Sequence, residues 1–325
     1  MLRTELTHRL GIKHPVISAP MGLFAGGKLA AAVSTAGGLG LIGGGYGDSD
    51  WLRSAFADAG NTPVGCGFIT WSLERKPELL EEALERSPKA LMLSFGSPGP
   101  FAGRIKAADV PLICQVQTLA LAREAVEAGA DVIVAQGGEA GGHGGSRSTL
   151  TLVPEVADLL AREAPETVLV AAGGIGDGRG LAAALLLGAQ GVLLGSRLLA
   201  SVEALVPASF QESIIAADGD ATVKTHVLDI ARGYDWPDGF SGRALYRGFT
   251  ARWHGREDAL ELPDNNAVER ERFWAGFRDG DTERAGLFVG EVAGLIHDVY
   301  AAAEIVERIV AEAERLLHSA ESYIG

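Results

Sequence analysis

The chain has 325 residues, 47% of them hydrophobic and 22% charged, with 44 glycines and a formal net charge of −14. This composition excludes a disordered chain, and the negative balance argues against nonspecific binding to nucleic acid or an anionic membrane, which would need Lys and Arg clusters that are missing here. Cys66 and Cys114 are too few for a Cys-only zinc site, and their apolar settings predict buried free thiols in a reducing compartment.

At the N-terminus, Arg3, Glu5, His8, Arg9 and Lys13 leave no apolar stretch long enough for a secretory signal. No run along the chain reaches the roughly 18 apolar residues of a membrane span, so a cytoplasmic protein is expected. Short apolar runs then alternate with Ala- and Leu-rich helical segments. The runs cover residues 14–20, 38–44, 63–69, 90–95, 111–117, 131–136, 167–173 and 191–195. Such alternation predicts parallel strands covered on both faces, and eight βα units close a (β/α)8 TIM barrel, which uses roughly 250 residues as one unit. Helical stripes support the reading: Leu29, Ala32 and Val33 in the first helix, Leu119, Ala122 and Val126 in the fifth, each helix ending at a glycine, Gly37 and Gly129.

Two glycine patterns near the start carry little. Gly38, Gly40 and Gly43 match the spacing of a dinucleotide fingerprint, but Leu39, Leu41 and Ile42 between them are the predicted strand itself. Gly26-Gly27-Lys28 lacks the Ser or Thr and the spacing of a P-loop.

The sixth strand ends differently. Residues 136–145 read Gln-Gly-Gly-Glu-Ala-Gly-Gly-His-Gly-Gly, a glycine-crowded loop around Glu139 and His143. Glycine admits positive φ and close approach to a ligand, and histidine is the side chain most easily charged near neutral pH. A lone histidine is more often packed or solvated than catalytic; its place at a predicted barrel mouth favours function. Glu139 and His143 lack a third residue at metal-ligand spacing, so no metal site is expected. Strands seven and eight end at Gly173-Gly174-Ile175-Gly176-Asp177-Gly178 and Gly195-Ser196-Arg197, where glycine amides, a nearby helix N-terminus and a hydroxyl would form an anion cradle.

After Ser201 the alternation stops. Residues 218–290 are richer in Asp, Arg, Trp and turn residues and are expected to form a smaller, mostly helical lid or substrate region over one end of the barrel. Residues 1–217 and 291–325 would then make the barrel, closed by an amphipathic C-terminal helix bearing Ile305, Ile309, Glu312 and Leu316. Arg232, Tyr234, Trp236, Arg243, Trp253 and His254 are candidates either to shape a substrate pocket or to form a packed, salt-bridged lid or subunit interface.

Taken together, Pro20-Met21, the run at 29–45, the motif at 136–145 and the stretch at 171–197 resemble the nitronate monooxygenase family, formerly called 2-nitropropane dioxygenases, over nearly all of residues 10–205. The resemblance implies an FMN-binding TIM barrel with a helical lid. It implies that Pro20, Met21 and Gly22 back the flavin ring, that Gln115 lies beside it, that Gly173, Gly174, Gly195 and Ser196 hold the FMN phosphate, and that Gln136 and Gly142 belong to the same cofactor-binding set. His143 would be the catalytic base. Gly67 stands where family members often have Asn. The implied reaction is oxidation of an alkyl nitronate or nitroalkane by O2 to a carbonyl compound and nitrite. A reductase of the same fold, passing hydride from NADH or NADPH to a quinone or enoyl thioester, is the alternative. A flavin-free barrel holding a phosphorylated metabolite, or a binding protein without turnover, is a third reading. The oligomeric state stays open, with a homodimer preferred.

Overall fold

A computed structural model describes residues 2–323. Eight strands form one parallel sheet: β1 (Val16–Ser18), β2 (Leu41–Gly43), β3 (Gly65–Ile69), β4 (Leu91–Ser94), β5 (Leu112–Val116), β6 (Val132–Gln136), β8 (Val168–Ala172) and β9 (Val192–Leu194). They fall within the eight apolar runs. The order β1-β9-β8-β6-β5-β4-β3-β2 is closed by a parallel bridge between Ile17 and Leu39, which makes the sheet a TIM barrel.

The runs read as continuous apolar stretches because both faces are buried. On β4, Met92 points into the barrel and Leu91 and Leu93 point out; on β6, Val132 and Val134 point in and Ile133 and Ala135 out. The same parity holds on β8, with Val168, Val170 and Ala172 inside and Leu169 and Ala171 outside. One side-chain layer therefore fills the lumen and the other packs under the helices. Cys66 and Cys114 sit in the outer layer, buried and free. Burial pushes both thiols up, Cys114 to about 12.

The helix Glu5–Leu10 plugs one end. Thr4 and Thr7 cap it reciprocally, Leu6 and Leu10 join the interior cluster, and Glu5 N–H donates to Gln190 just ahead of β9. The plugged end is thus where the strands begin, which leaves their C-terminal ends as the mouth. At the other terminus, the helix Ala302–Ser319 packs back on the barrel helix Gly178–Leu186 and buries Ile305, Val306, Ile309 and Ala313. There the Glu312 carboxylate accepts from Gly178 N–H at 2.8 Å. Among the described residues no helix is long and apolar enough to cross a membrane.

A second, three-stranded sheet stands over the mouth. β7 (Gly142–Gly144), the middle of the glycine loop, pairs antiparallel with β11 (Ser241–Leu245), which pairs with β10 (Thr222–Thr225). Helices Val227–Arg232, Gly248–Trp253, Glu257–Glu261 and Pro263–Asp279 make up most of the remaining segment. Residues 218–290 are therefore mainly helical, with a two-stranded ribbon that the sequence reading did not foresee.

Candidate active site

The eleven residues singled out from sequence, Pro20, Met21, Gly22, Gln115, Gln136, Gly142, His143, Gly173, Gly174, Gly195 and Ser196, all line one cavity at the strand ends, of about 1140 Å³ counting its open mouth. Inside the barrel end, three glutamines form a chain. Gln115 and Gln117 donate to the Gln136 side-chain oxygen at 3.0 and 2.8 Å, and Gln136 donates to the His143 carbonyl at 3.0 Å. A buried amide must find such partners, and here they fix the strand six end to the glycine loop.

Several features match a bulky cofactor. Gly173 and Gly174 both have positive φ, 102° and 71°, at the end of β8. The amides of Gly173, Gly174, Gly195 and Ser196 meet no acceptor among the described residues. A Cβ added at Gly142 would meet nothing within 4 Å, so that backbone lies open to the cavity. The Ser196 hydroxyl accepts from Gly290 N–H at 2.8 Å, which leaves its own proton free to donate. These donors suit an anionic group. One part of the expected cradle is already occupied: the helix Gly178–Leu186 has its first amides taken by Asp177 and Glu312, so it offers no free N-terminus.

Gly67 faces Pro20. A Cβ there would lie 2.6 Å from Pro20 Cβ, so the proline ring fills the space a larger residue at 67 would need. Phe95, which lines the cavity, and Leu23, between the lining residues Gly22 and Phe24, are non-glycine residues with positive φ of 65° and 70°. Such strain persists only where surrounding packing imposes it.

His143 is 7% exposed, and its Nε2 lies 2.8 Å from Asp229 Oδ2, itself buried. Asp229 comes from the short helix Val227–Arg232, and its other oxygen has no hydrogen-bond partner among the described residues. Trp236 lies flat on the imidazole, with ring centroids 3.3 Å apart and planes within 5°, while Phe95 and Phe288 meet it edge-on. Burial pulls the His143 pKa below its ordinary 6.5, opposed by Asp229, and the Arg232 charge adds to the depression. Burial thus favours the neutral form of the ring. Nε2 lies against Asp229, and Nδ1 of this cavity-lining ring has no hydrogen-bond partner among the described residues, which makes it the candidate basic nitrogen. The loop that carries it is pinned by cations: Lys224 donates to the carbonyls of Gly144 and Gly145, and Arg243 to that of Gly138 at 3.1 Å.

The candidates in residues 218–290 divide. Arg232 and Trp236 line the cavity. Tyr234 stacks on the lining residue Tyr46 with centroids 3.7 Å apart, and Tyr46 accepts from Trp236 Nε1 at 3.2 Å. Trp253 and His254 lie elsewhere: Trp253 Nε1 donates to Glu269, and His254 stands 3.6 Å from Glu257. Glu139 caps the helix Thr149–Glu163, accepting from Thr149 N–H and hydroxyl. Sequence reasoning missed Asp229, Tyr46, Phe95 and Phe288. The one available signal was Asp229 itself, a lone carboxylate in the run Val-Leu-Asp-Ile-Ala.

A family model described as nitronate monooxygenase matches residues 3–62 and 74–312. The nitronate monooxygenase npaC of Metarhizium robertsii is 36% identical, over 100% of this chain and 99% of its own. A (3aS,4S,5R,7aS)-5-hydroxy-7a-methyl-1-oxo-octahydro-1H-indene-4-carboxyl-CoA dehydrogenase of Mycobacterium tuberculosis is 31% identical, over 99% of both chains. Among solved structures, FabK from Thermotoga maritima superposes with a TM-score of 0.86 at 33% identity, over 100% of both chains. A nitroalkane oxidase from Streptomyces ansochromogenes does so with a TM-score of 0.78 at 25% identity, over 98% of this chain and 100% of its own.

Proposed function

The chain belongs to the nitronate monooxygenase family, a family of flavin-dependent oxidoreductases, and we propose that it uses FMN to oxidise alkyl nitronates or nitroalkanes with O2, giving a carbonyl compound and nitrite. The observation that carries this reading is the buried His143–Asp229 pair beside a cavity lined by the residues expected to hold a flavin. Neutral imidazole takes the α-proton of a nitroalkane at Nδ1, and Asp229 stabilises the imidazolium that results. A nitronate arrives already deprotonated and needs His143 less. Bound flavin supplies the electron transfer between the substrate carbanion and O2. The glycine amides and Ser196 would hold the FMN phosphate, Pro20, Met21 and Gly22 would back the ring, and Gln115, Gln136 and Gly142 would border it. The aromatic walls exclude bulk water from the substrate side.

The likeness to FabK and to a CoA-ester dehydrogenase favours a second reading, a reductase drawing hydride from NADH or NADPH toward an enoyl thioester or quinone. Absorbance after gentle purification and FMN addition comes first: no flavin bands would sink both readings. Anaerobic mixing then separates them. Bleaching by propyl nitronate supports the oxidation, whereas rapid bleaching by a pyridine nucleotide with none by nitronate replaces it with the reductase. The same proposal takes a small-molecule substrate and O2 as the partners and keeps a cytoplasmic homodimer, read by fractionation and sedimentation.

A further inference from the structure

Arg232 ends the helix Val227–Arg232, three residues after Asp229, which places both on one helix face, and Arg232 lines the cavity. The carboxylate one turn back is committed to His143. Arg232 itself makes no hydrogen bond or ion pair among the described residues; its guanidinium is surrounded by rings, at 5.0 Å from Tyr234, 5.4 Å from Tyr46, 5.6 Å from Phe288 and 6.0 Å from Trp274. Several other arginines of the same region do meet carboxylates: Arg243 meets Glu291, Arg252 meets Glu269, and Arg284 meets Asp279 and Asp281. Of the described residues that line the cavity, Arg232 is the sole Lys or Arg.

A half-buried guanidinium that lines a cavity within a cage of rings, and has no carboxylate partner among the described residues, suits an anion. Its planar fork matches a planar two-oxygen anion, which it binds through paired N–H···O bonds. Tyr46, Trp236 and Phe288 around it suit a short apolar body and offer no second cation for a polyphosphate handle. We infer that Arg232 is the substrate-binding residue for a small planar monoanion, its oxygens on the guanidinium and its reacting carbon toward His143. The inference rests on the proposed reaction only for naming that anion as a nitronate; a carboxylate presents the same shape and charge.

The test uses the flavin-loaded enzyme and butyrate, an unreactive carboxylate counterpart of propyl nitronate. Binding is read by quenching of tryptophan fluorescence, and turnover with propyl nitronate and with neutral 1-nitropropane. In Arg232→Met, butyrate binding is expected to weaken at least about tenfold, roughly the value of one charge-assisted pair. KM for the nitronate should rise with it, kcat should change less, and KM for neutral 1-nitropropane should stay near wild type. Arg232→Lys, which keeps the charge and loses the fork, should fall between. Unchanged butyrate binding in both variants overturns the inference, as does an equal rise in KM for anionic and neutral substrates, which would mark Arg232 as packing for the cage. NADPH binding that depends on Arg232 while butyrate binding does not would also overturn it. Should the enzyme fail to oxidise any nitronate yet bind butyrate through Arg232, the proposed reaction falls and the anion site stands.

Discussion

Trp236 covers one whole face of His143, ring on ring at 3.3 Å between centroids, and ties itself to Tyr46 through its indole N–H. The stack keeps water off the imidazole, and burial is the leading cause of its lowered pKa. Trp236→Ala should hydrate the ring and move the acid limb of kcat/KM for nitroalkane upward, toward 6.5. Trp236→Phe, which still covers the ring, should leave the limb near its wild-type position. A pH profile of the three proteins decides it.

Asp229 opposes that depression. Asp229→Asn removes a charge that favours imidazolium and lets the new amide donate to Nε2, which puts the ring proton on Nδ1, the nitrogen proposed to take the substrate's proton. Deprotonation of neutral nitroalkane should slow on the order of 100-fold, the lower range for general base catalysis, with the acid limb shifted to lower pH. A loss of rate with no shift in the profile would make Asp229 only a packing residue.

His143→Ala is expected to lower activity on neutral nitroalkane far more than on the preformed nitronate, since only the first needs a proton removed. Parallel steady-state assays of the two substrates read the ratio; equal losses would show that the imidazole is not the proton acceptor.

Stability should carry the same titration. The folded His143 binds a proton only below its unfolded pKa of 6.5, so the unfolded chain holds more protons just beneath that value. The contribution of the neutral buried ring is full above 6.5 and is lost as pH falls toward the lower folded pKa. Thermal melts at about pH 7.5 and about pH 5.5 should differ more for wild type than for His143→Gln.

Gly67→Asn, which installs the residue many family members carry, should fail here because Pro20 already fills the space. Overpacking of this kind costs about 1–3 kcal/mol, and the displaced Pro20 should lower flavin content with it. Denaturant melts and the absorbance ratio of flavin to protein measure both.

The barrel was legible because its strands are buried on two sides. An apolar run such as 131–136 has no other economical home than a covered parallel sheet, and eight of them set the count. The glycines at 173, 174 and 195 were legible for a related reason: they sit where the strand period ends. Asp229 was not, since its bond to His143 spans 86 positions and leaves no periodic trace. Nor was the pairing of Gly142–Gly144 with β11, because two glycines around a histidine carry no strand propensity, and only the far ribbon makes them one.

That pairing gives the imidazole two owners. The chain at His143 grows out of the barrel, but the strand beside it, the carboxylate on its ring and the indole over its face all come from residues 222–245. A molecule in which that segment has peeled away would keep eight intact strands and still have no oriented imidazole. Turnover of neutral nitroalkane should accordingly disappear at milder denaturant than the far-ultraviolet signal of the barrel, which turns the reaction itself into a gauge of local fraying.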